Sequence, residues 1–304
     1  MQKKFQIVNH ILVETDSEQA PVTVVINPDD TEKRYLVDTL RIDEHTLASA
    51  LDPDELSRLE FEPEHLALIY KRPRSYTAAD QFLFKVSSVG AFLFKDKLIL
   101  VVSEDVPLAE GLQSIRVTSP AEMVLRLIYR AILHYREHLK VISAISDDLQ
   151  EKIAKSMENR HLLNLFTLQK SLVYYLSSIT SNTALLEKLK LNSTKIGFPT
   201  EEIELLDDII IENNQCYKQA EIYSNILAGL MDARVSVVSN NLNMLMKTLN
   251  IITIAIMVPT FVVSAFSMNV RIPLEEHPYA FFIIMGLALL SVLSFLAFWR
   301  YRRW

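Results

Sequence analysis

Residues Asn243–Asn269, NMLMKTLNIITIAIMVPTFVVSAFSMN, decide the fold. Between Lys247 and Arg271 lie 23 residues without a formal charge. As a helix they reach roughly 35 Å, enough for a bilayer core of about 30 Å. The polar and sulfur-bearing members are ordered. Asn243, Met246, Asn250, Thr253, Met257, Thr260 and Ser264 follow at spacings of 3, 4, 3, 4, 3 and 4. That 3.5-residue period keeps one face of a helix turned to its neighbours. Hydroxyls and amides left in hydrocarbon would be unpaired, so the stripe should face protein or water. Spacing alone leaves two readings open: a helix-packing face, or the wall of a pore lined by one helix from each of several subunits.

Composition fits a large soluble part with a small membrane part. Half of the 304 residues are apolar, and the mean hydropathy is +0.17. The opening Met1-Gln2-Lys3-Lys4-Phe5 lacks the apolar core of a secretory signal. A lone cysteine, Cys216, excludes an internal disulfide framework and a cysteine-based zinc site within one chain. The net charge of −6 gives no support to nucleic-acid binding and suits a surface that attracts cations.

Residues 1–118 read as a cytoplasmic mixed α/β domain. Strands are expected at Val22–Ile26, Leu66–Lys71, Gln81–Phe94 and Lys97–Val102, with a turn at Lys95-Asp96. Short helices are expected at Asp43–Leu51 and Asp54–Leu59. No phosphate loop, nucleophile elbow or metal-ligand spacing occurs, so the chain does not read as an enzyme and needs no cofactor. His10, His45 and His65 stand alone in sequence and read as surface or core histidines.

Ser119-Pro120 is an N-cap and first-turn proline. From Ala121 to Ile196 there are 76 residues without glycine or proline, which predicts a helical hairpin over 119–199 breaking near Met157–Arg160. Thr200 can cap a further helix whose first turn carries Glu201, Glu202 and Glu204. No proline follows before Pro259, so a stalk helix over 200–248 runs on into the membrane domain, 249–304. Such a helix cannot bury its apolar face alone, and association with copies of itself is expected. In the membrane domain the first span covers about 249–266, an outer loop 267–278 and the second span about 279–299. The second span has only Ser291 and Ser294 as polar interruptions and reads as lipid-facing. Lys247 and the basic tail 300–304 place both termini in the cytoplasm, with Arg271 in mild dissent.

This architecture resembles the CorA family of divalent-cation channels and transporters. Ala50-Leu51-Asp52-Pro53-Asp54-Glu55 resembles the family's ALDPDE segment. Gly229-Leu230-Met231-Asp232, Ser239-Asn240-Asn241-Leu242-Asn243 and Met246-Lys247-Thr248-Leu249 read like the end of its stalk. Met257-Val258-Pro259-Thr260-Phe261 is similar to its mid-membrane proline segment, and Ser267-Met268-Asn269 to its Gly-Met-Asn tripeptide.

The resemblance implies an α+β subunit in a funnel-shaped homopentamer of the inner membrane that passes divalent cations, Mg²⁺ first. The five first spans would line one pore. Family pore positions fall on Asn243, Met246, Leu249, Asn250, Met257, Thr260, Ser264 and Asn269, with Thr253 on the same stripe. Ser267, Met268 and Asn269 would form the selectivity loop. Ser267 replaces a glycine, and glycine permits backbone angles that serine reaches at a cost. The family's cytoplasmic regulatory acids match Asp208 and Asp232, while a third falls on Ser49, leaving Asp52 or Asp54 to substitute. Glu275 and Glu276, beside His277, would concentrate cations at the outer mouth. The runner-up is a Zn²⁺, Co²⁺ or Ni²⁺ transporter of the same fold; from another class, a non-conducting membrane scaffold.

Overall fold

A computed structural model describes residues 1–77, 80–104, 117–155, 159–268 and 277–302. Strands β1 (Gln2–Val8), β2 (Ile11–Glu14), β3 (Val22–Ile26), β4 (Arg58–Phe61), β5 (His65–Pro73), β6 (Val86–Phe94) and β7 (Leu98–Val102) form one sheet. Its order is β2-β1-β3-β7-β6-β5-β4. Only β3 and β7 run parallel; the other neighbours are antiparallel.

Period-2 alternation sends the sheet's side chains into two cores. Val22, Val24, Ile26, Leu98, Leu100 and Val102 point to one. Val25, Ile99 and Val101 point to the other, where they meet Leu36, Leu47 and Ala50. Leu47 and Ala50 belong to α2 (Glu44–Leu51), which follows the short α1 (Asp30–Arg34). The other face is covered by α3 (Pro120–Lys155) and α4 (Asn159–Leu191). After the single turn α5 (Ser193–Ile196), Gly197 turns left-handed at φ 87°, where a Cβ would be strained. Pro199 then leads into α6 (Thr200–Phe266), and α7 (Ala280–Arg302) ends the described chain. By packing the chain divides into two compact units, Met1–Met231 and Asp232–Trp304, with α6 contributing to both.

In the first unit α6 adds Leu206, Ile209, Cys216, Ala220 and Leu227 to the helical core. Asn213 reinforces it, its Nδ2 donating to Thr183 Oγ1 at 2.8 Å and to the Ile179 carbonyl at 3.2 Å. Ser119 caps α3, its Oγ accepting from the Glu122 N–H at 2.9 Å.

Three details differ from the sequence reading. Asp54–Leu59 is not a helix: the Asp54 N–H donates to Asp52 Oδ1 at 2.8 Å in a side-chain-closed turn, and Arg58 and Leu59 pair with β5. The strand expected from Gln81 begins at Val86, because Gln81 and Phe82 hold φ values of 47° and 69°. β1 and β2 form a hairpin whose two turn residues, Asn9 and His10, both have positive φ. That geometry usually signals itself as Asn-Gly.

Gly90 on β6 touches α2. A Cβ there would lie 2.5 Å from the Ala50 Cβ, so the helix must shift. Gly90→Ala should destabilise the fold by about 1–3 kcal/mol, read as a lowered thermal midpoint; an unchanged midpoint would show that α2 floats freely.

Between α3 and α4, burial together with neighbouring His134 pushes the pKa of His138 down to about 4. Its Nδ1 lies 2.6 Å from the Tyr175 hydroxyl. The unfolded chain takes up this proton near pH 6.5. Stability contributed by neutral His138 is therefore full above about pH 6.5 and is lost as pH falls towards 4. Urea midpoints should drop across that window, and His138→Gln should flatten the drop. An equally steep drop in the variant would assign it to other groups.

Candidate ion pathway

Among the described residues, α6, through its C-terminal part, and α7 are the two helices long and apolar enough to cross a membrane. On α6, Asn243, Met246, Leu249, Asn250, Thr253, Met257, Thr260 and Ser264 are all exposed. Ile251, Ala255, Val258, Pro259, Val262 and Phe266 are half-buried and recur at helical spacing. At 3.6 residues per turn that covered face lies roughly 160° around the helix from the stripe. The stripe thus lies on the exposed arc of the helix, which it shares with Leu245, Ile252, Ile256 and Phe261. On α7 the covered side is Ala280, Ile284, Ala288, Ser291 and Phe295, with Ala288 only 6% exposed. Small residues at such spacing let helices approach closely.

The hydroxyls of α6 bind their own helix. Thr253 Oγ1 donates to the Leu249 carbonyl at 2.8 Å, and Thr260 Oγ1 to the Ile256 carbonyl at 2.7 Å. This satisfies each hydroxyl hydrogen where neither water nor a partner is needed. Pro259 continues the helix but has no N–H for the Ala255 carbonyl.

Ser267 lies in the turn that closes α6. Its N–H and Oγ both donate to the Ser264 carbonyl, at 3.2 and 3.0 Å. It is not among the residues with positive φ, so serine sits there without the strain that a glycine-only conformation would impose. Met268 follows, 59% exposed. Asn269, Glu275 and Glu276 fall outside the described residues.

Near the C-terminal end of α7, Asn243, Met246 and Asn250 share a groove of about 550 Å³ with Lys247, Phe295 and Trp299. The aromatic residues of α7 were read as lipid-facing. Their 3- and 4-residue spacing at the helix end is the signal that could have marked a second face.

The regulatory candidates Asp52, Asp208 and Asp232 are all exposed. Among the described residues no three His, Cys, Asp or Glu side chains gather in one chain to hold a metal. Ser49 is buried, and its hydroxyl accepts from Arg58 Nη2 at 2.8 Å. Arg58 also pairs with Glu55 at 3.1 Å and Glu60 at 3.0 Å. The Arg58 guanidinium therefore stands beside position 49, paired with Glu55 and Glu60.

The profile of the family described as CorA-like Mg²⁺ transporter protein matches residues 24–303. The chain belongs to the CorA family. A relative named cobalt/magnesium transport protein CorA, from Methanocaldococcus jannaschii, is 24% identical over 292 residues, covering 91% of this chain and 89% of its own. The complete structure of the CorA magnesium transporter of that organism superposes with a TM-score of 0.84 at 21% identity, over 98% of this chain and 96% of the other. Full-length CmaX gives 0.76 at 16% identity, over 100% and 97%. The cytoplasmic domain of ZntB from Vibrio parahaemolyticus gives 0.61 at 12% identity, over 78% and 98%. The CorA match takes in both membrane helices and the whole stripe, and it identifies a divalent-cation transporter fold rather than an enzyme.

Proposed function

We propose that this CorA-family chain admits divalent cations, Mg²⁺ first, into the cytoplasm through a homopentameric pore lined by α6 of each subunit. The observation that carries the reading is the 3.5-residue polar stripe on the exposed arc of α6. Exposed Asn, Thr and Ser side chains on a membrane helix call for water or protein, and a ring of copies supplies both. Asn243 would form a carboxamide ring at the inner mouth. Met246 and Leu249, 63% and 64% exposed, would close the pore by dewetting. Ser267, Met268 and Asn269 would meet the incoming ion, with Glu275 and Glu276 concentrating it. Hydrated Mg²⁺ suits uncharged oxygens because it dehydrates reluctantly. Asp208, Asp232 and Asp52 remain the proposed regulatory acids. In this reading residues 1–118, 119–199 and 200–248 and both termini lie in the cytoplasm, below a 249–304 membrane domain.

Uptake of Mg²⁺, Co²⁺, Ni²⁺ and Zn²⁺ into liposomes carrying the purified chain tests this. Mg²⁺ uptake is expected. Because Ser267 is unstrained, Ser267→Gly should change its rate by no more than about threefold, under 1 kcal/mol of barrier. Uptake of transition metals alone would give the runner-up; silence from both proteins would leave a scaffold.

A further inference from the structure

A groove of about 440 Å³ opens on the sheet face that carries α2, where β1, β3 and β7 lie side by side. Register brings its polar residues together. Lys4 pairs with Thr23 across β1 and β3, and Thr23 with Ile99 across β3 and β7. Lys97 stands two residues before Ile99, where the Leu98 N–H still donates to the Pro21 carbonyl at 2.7 Å. By period-2 alternation Lys4, Thr23 and Lys97 share this face. All three border the groove, over a floor of buried Val25, Leu36 and Ile99, and Tyr35 lies on its rim, 45% exposed.

The protein leaves these three groups unmatched. Among the described residues neither lysine forms an ion pair or a side-chain hydrogen bond. Thr23 is only 7% exposed, yet its hydroxyl makes no hydrogen bond among those residues and is not sealed from the groove. A hydroxyl at that depth normally has a partner. Glu18 also borders the groove but is within ion-pair reach of neither lysine, so two positive charges stand against one negative. Burial, with Lys4 close by, holds the pKa of Lys97 below the usual lysine value. Like charges held together in a half-buried place cost energy, and an anion between them would relieve it.

We propose that this groove binds a small phosphate monoester with an aromatic body, of the size of a nucleoside monophosphate. The phosphate would sit between the Lys4 and Lys97 ammonium groups and accept from Thr23 Oγ1. Two ammonium groups and a hydroxyl match a dianion with three acceptor oxygens better than a carboxylate with two. The ring system would lie over Val25, Leu36 and Ile99 against Tyr35. Glu18 would then accept from hydroxyls of a sugar. A nucleic-acid strand would need a long positive track, and the net charge of −6 argues against one. The two ammonium groups repel divalent cations, so Mg²⁺ is not the ligand here.

The test is calorimetric titration of the full chain in detergent, near 0.1 M salt and without phosphate buffer. The probes are adenosine monophosphate, phenyl phosphate, inorganic phosphate and adenosine. The two monoesters should bind with a Kd below about 1 mM, and the other two about tenfold or more weakly. Lys97→Met keeps the stem of the side chain without its charge and should weaken both monoesters by about tenfold. Thr23→Val keeps the branched shape that suits the strand and should weaken them by about fivefold. Lys170→Met, on α4 at the other face of the sheet, removes the same charge elsewhere and should change binding by less than about twofold. Circular dichroism checks that each variant folds; should one of the groove variants fail, the other carries the test. Absence of heat with both monoesters, binding indifferent to Lys97→Met and Thr23→Val, or an equal loss in Lys170→Met would overturn the proposal. Inorganic phosphate binding as tightly as the monoesters would also overturn it, leaving only a patch of positive charge. None of these readouts depends on transport.

Discussion

Asn250→Leu should slow divalent-cation uptake by on the order of a hundredfold, about 2.7 kcal/mol of added barrier. Asn250 is exposed on the stripe, and in a ring of copies its carboxamides would be a polar belt within an apolar stretch. An isobutyl group there extends the apolar stretch already formed by Met246 and Leu249. Water leaves such a constriction, and a hydrated Mg²⁺ ion cannot enter without shedding its shell. Val263→Leu, exposed but off the stripe, serves as the control and should alter uptake by less than about twofold. The readout is initial uptake into liposomes at matched protein content. Equal rates for Asn250→Leu and the natural chain would sink the pore assignment, whatever the fold.

The largest effect on stability is expected at Asn182, which is fully buried on α4. β4 pairs with β5 only as far as Ile69, so Lys71 has no strand beside it on that edge. Asn182 takes the strand's place. Its Oδ1 accepts from the Lys71 N–H and its Nδ2 donates to the Lys71 carbonyl, both at 2.8 Å. Ser57 Oγ donates to the same Oδ1, also at 2.8 Å. Asn182→Leu would leave a backbone donor and acceptor buried without partners, costing roughly 3–5 kcal/mol. At about 2–4 °C per kcal/mol, the thermal midpoint should fall by about 6–20 °C. Circular dichroism of the full chain in detergent measures it. A fall under about 3 °C would mean that water or a shifted strand end replaces the carboxamide.

Legibility in the sequence followed the range of the forces involved. The α2 helix could be read because its signals are local: Asp43 caps it, accepting from the Thr46 N–H at 2.9 Å. The boundary at Ser119-Pro120 was equally local. Asp54–Leu59 was misread because Asp-Pro-Asp-Glu looks like a helix start, while the pairing of Arg58 and Leu59 with β5 is decided by residues downstream. The β1–β2 hairpin was missed because Asn9-His10 adopts a glycine-like turn without a glycine. In the candidate pathway the stripe's composition and period were plain from spacing. Which side of α6 is covered was not, since that depends on packing in the folded unit. Nor was Arg58 at Ser49, a contact between residues nine positions apart across a turn.

The back-bonded threonines have a consequence for the sign of the ion. A hydroxyl whose hydrogen is held by its own helix turns only oxygen lone pairs outward. In the proposed pore Thr253 and Thr260 would therefore offer acceptors and no donors. A cation's water shell points its hydrogens outward and finds oxygens to meet; a chloride ion's shell presents the opposite polarity. At these two positions the lining would favour cations over anions without a carboxylate in the membrane, through the direction in which the hydroxyl groups are already committed.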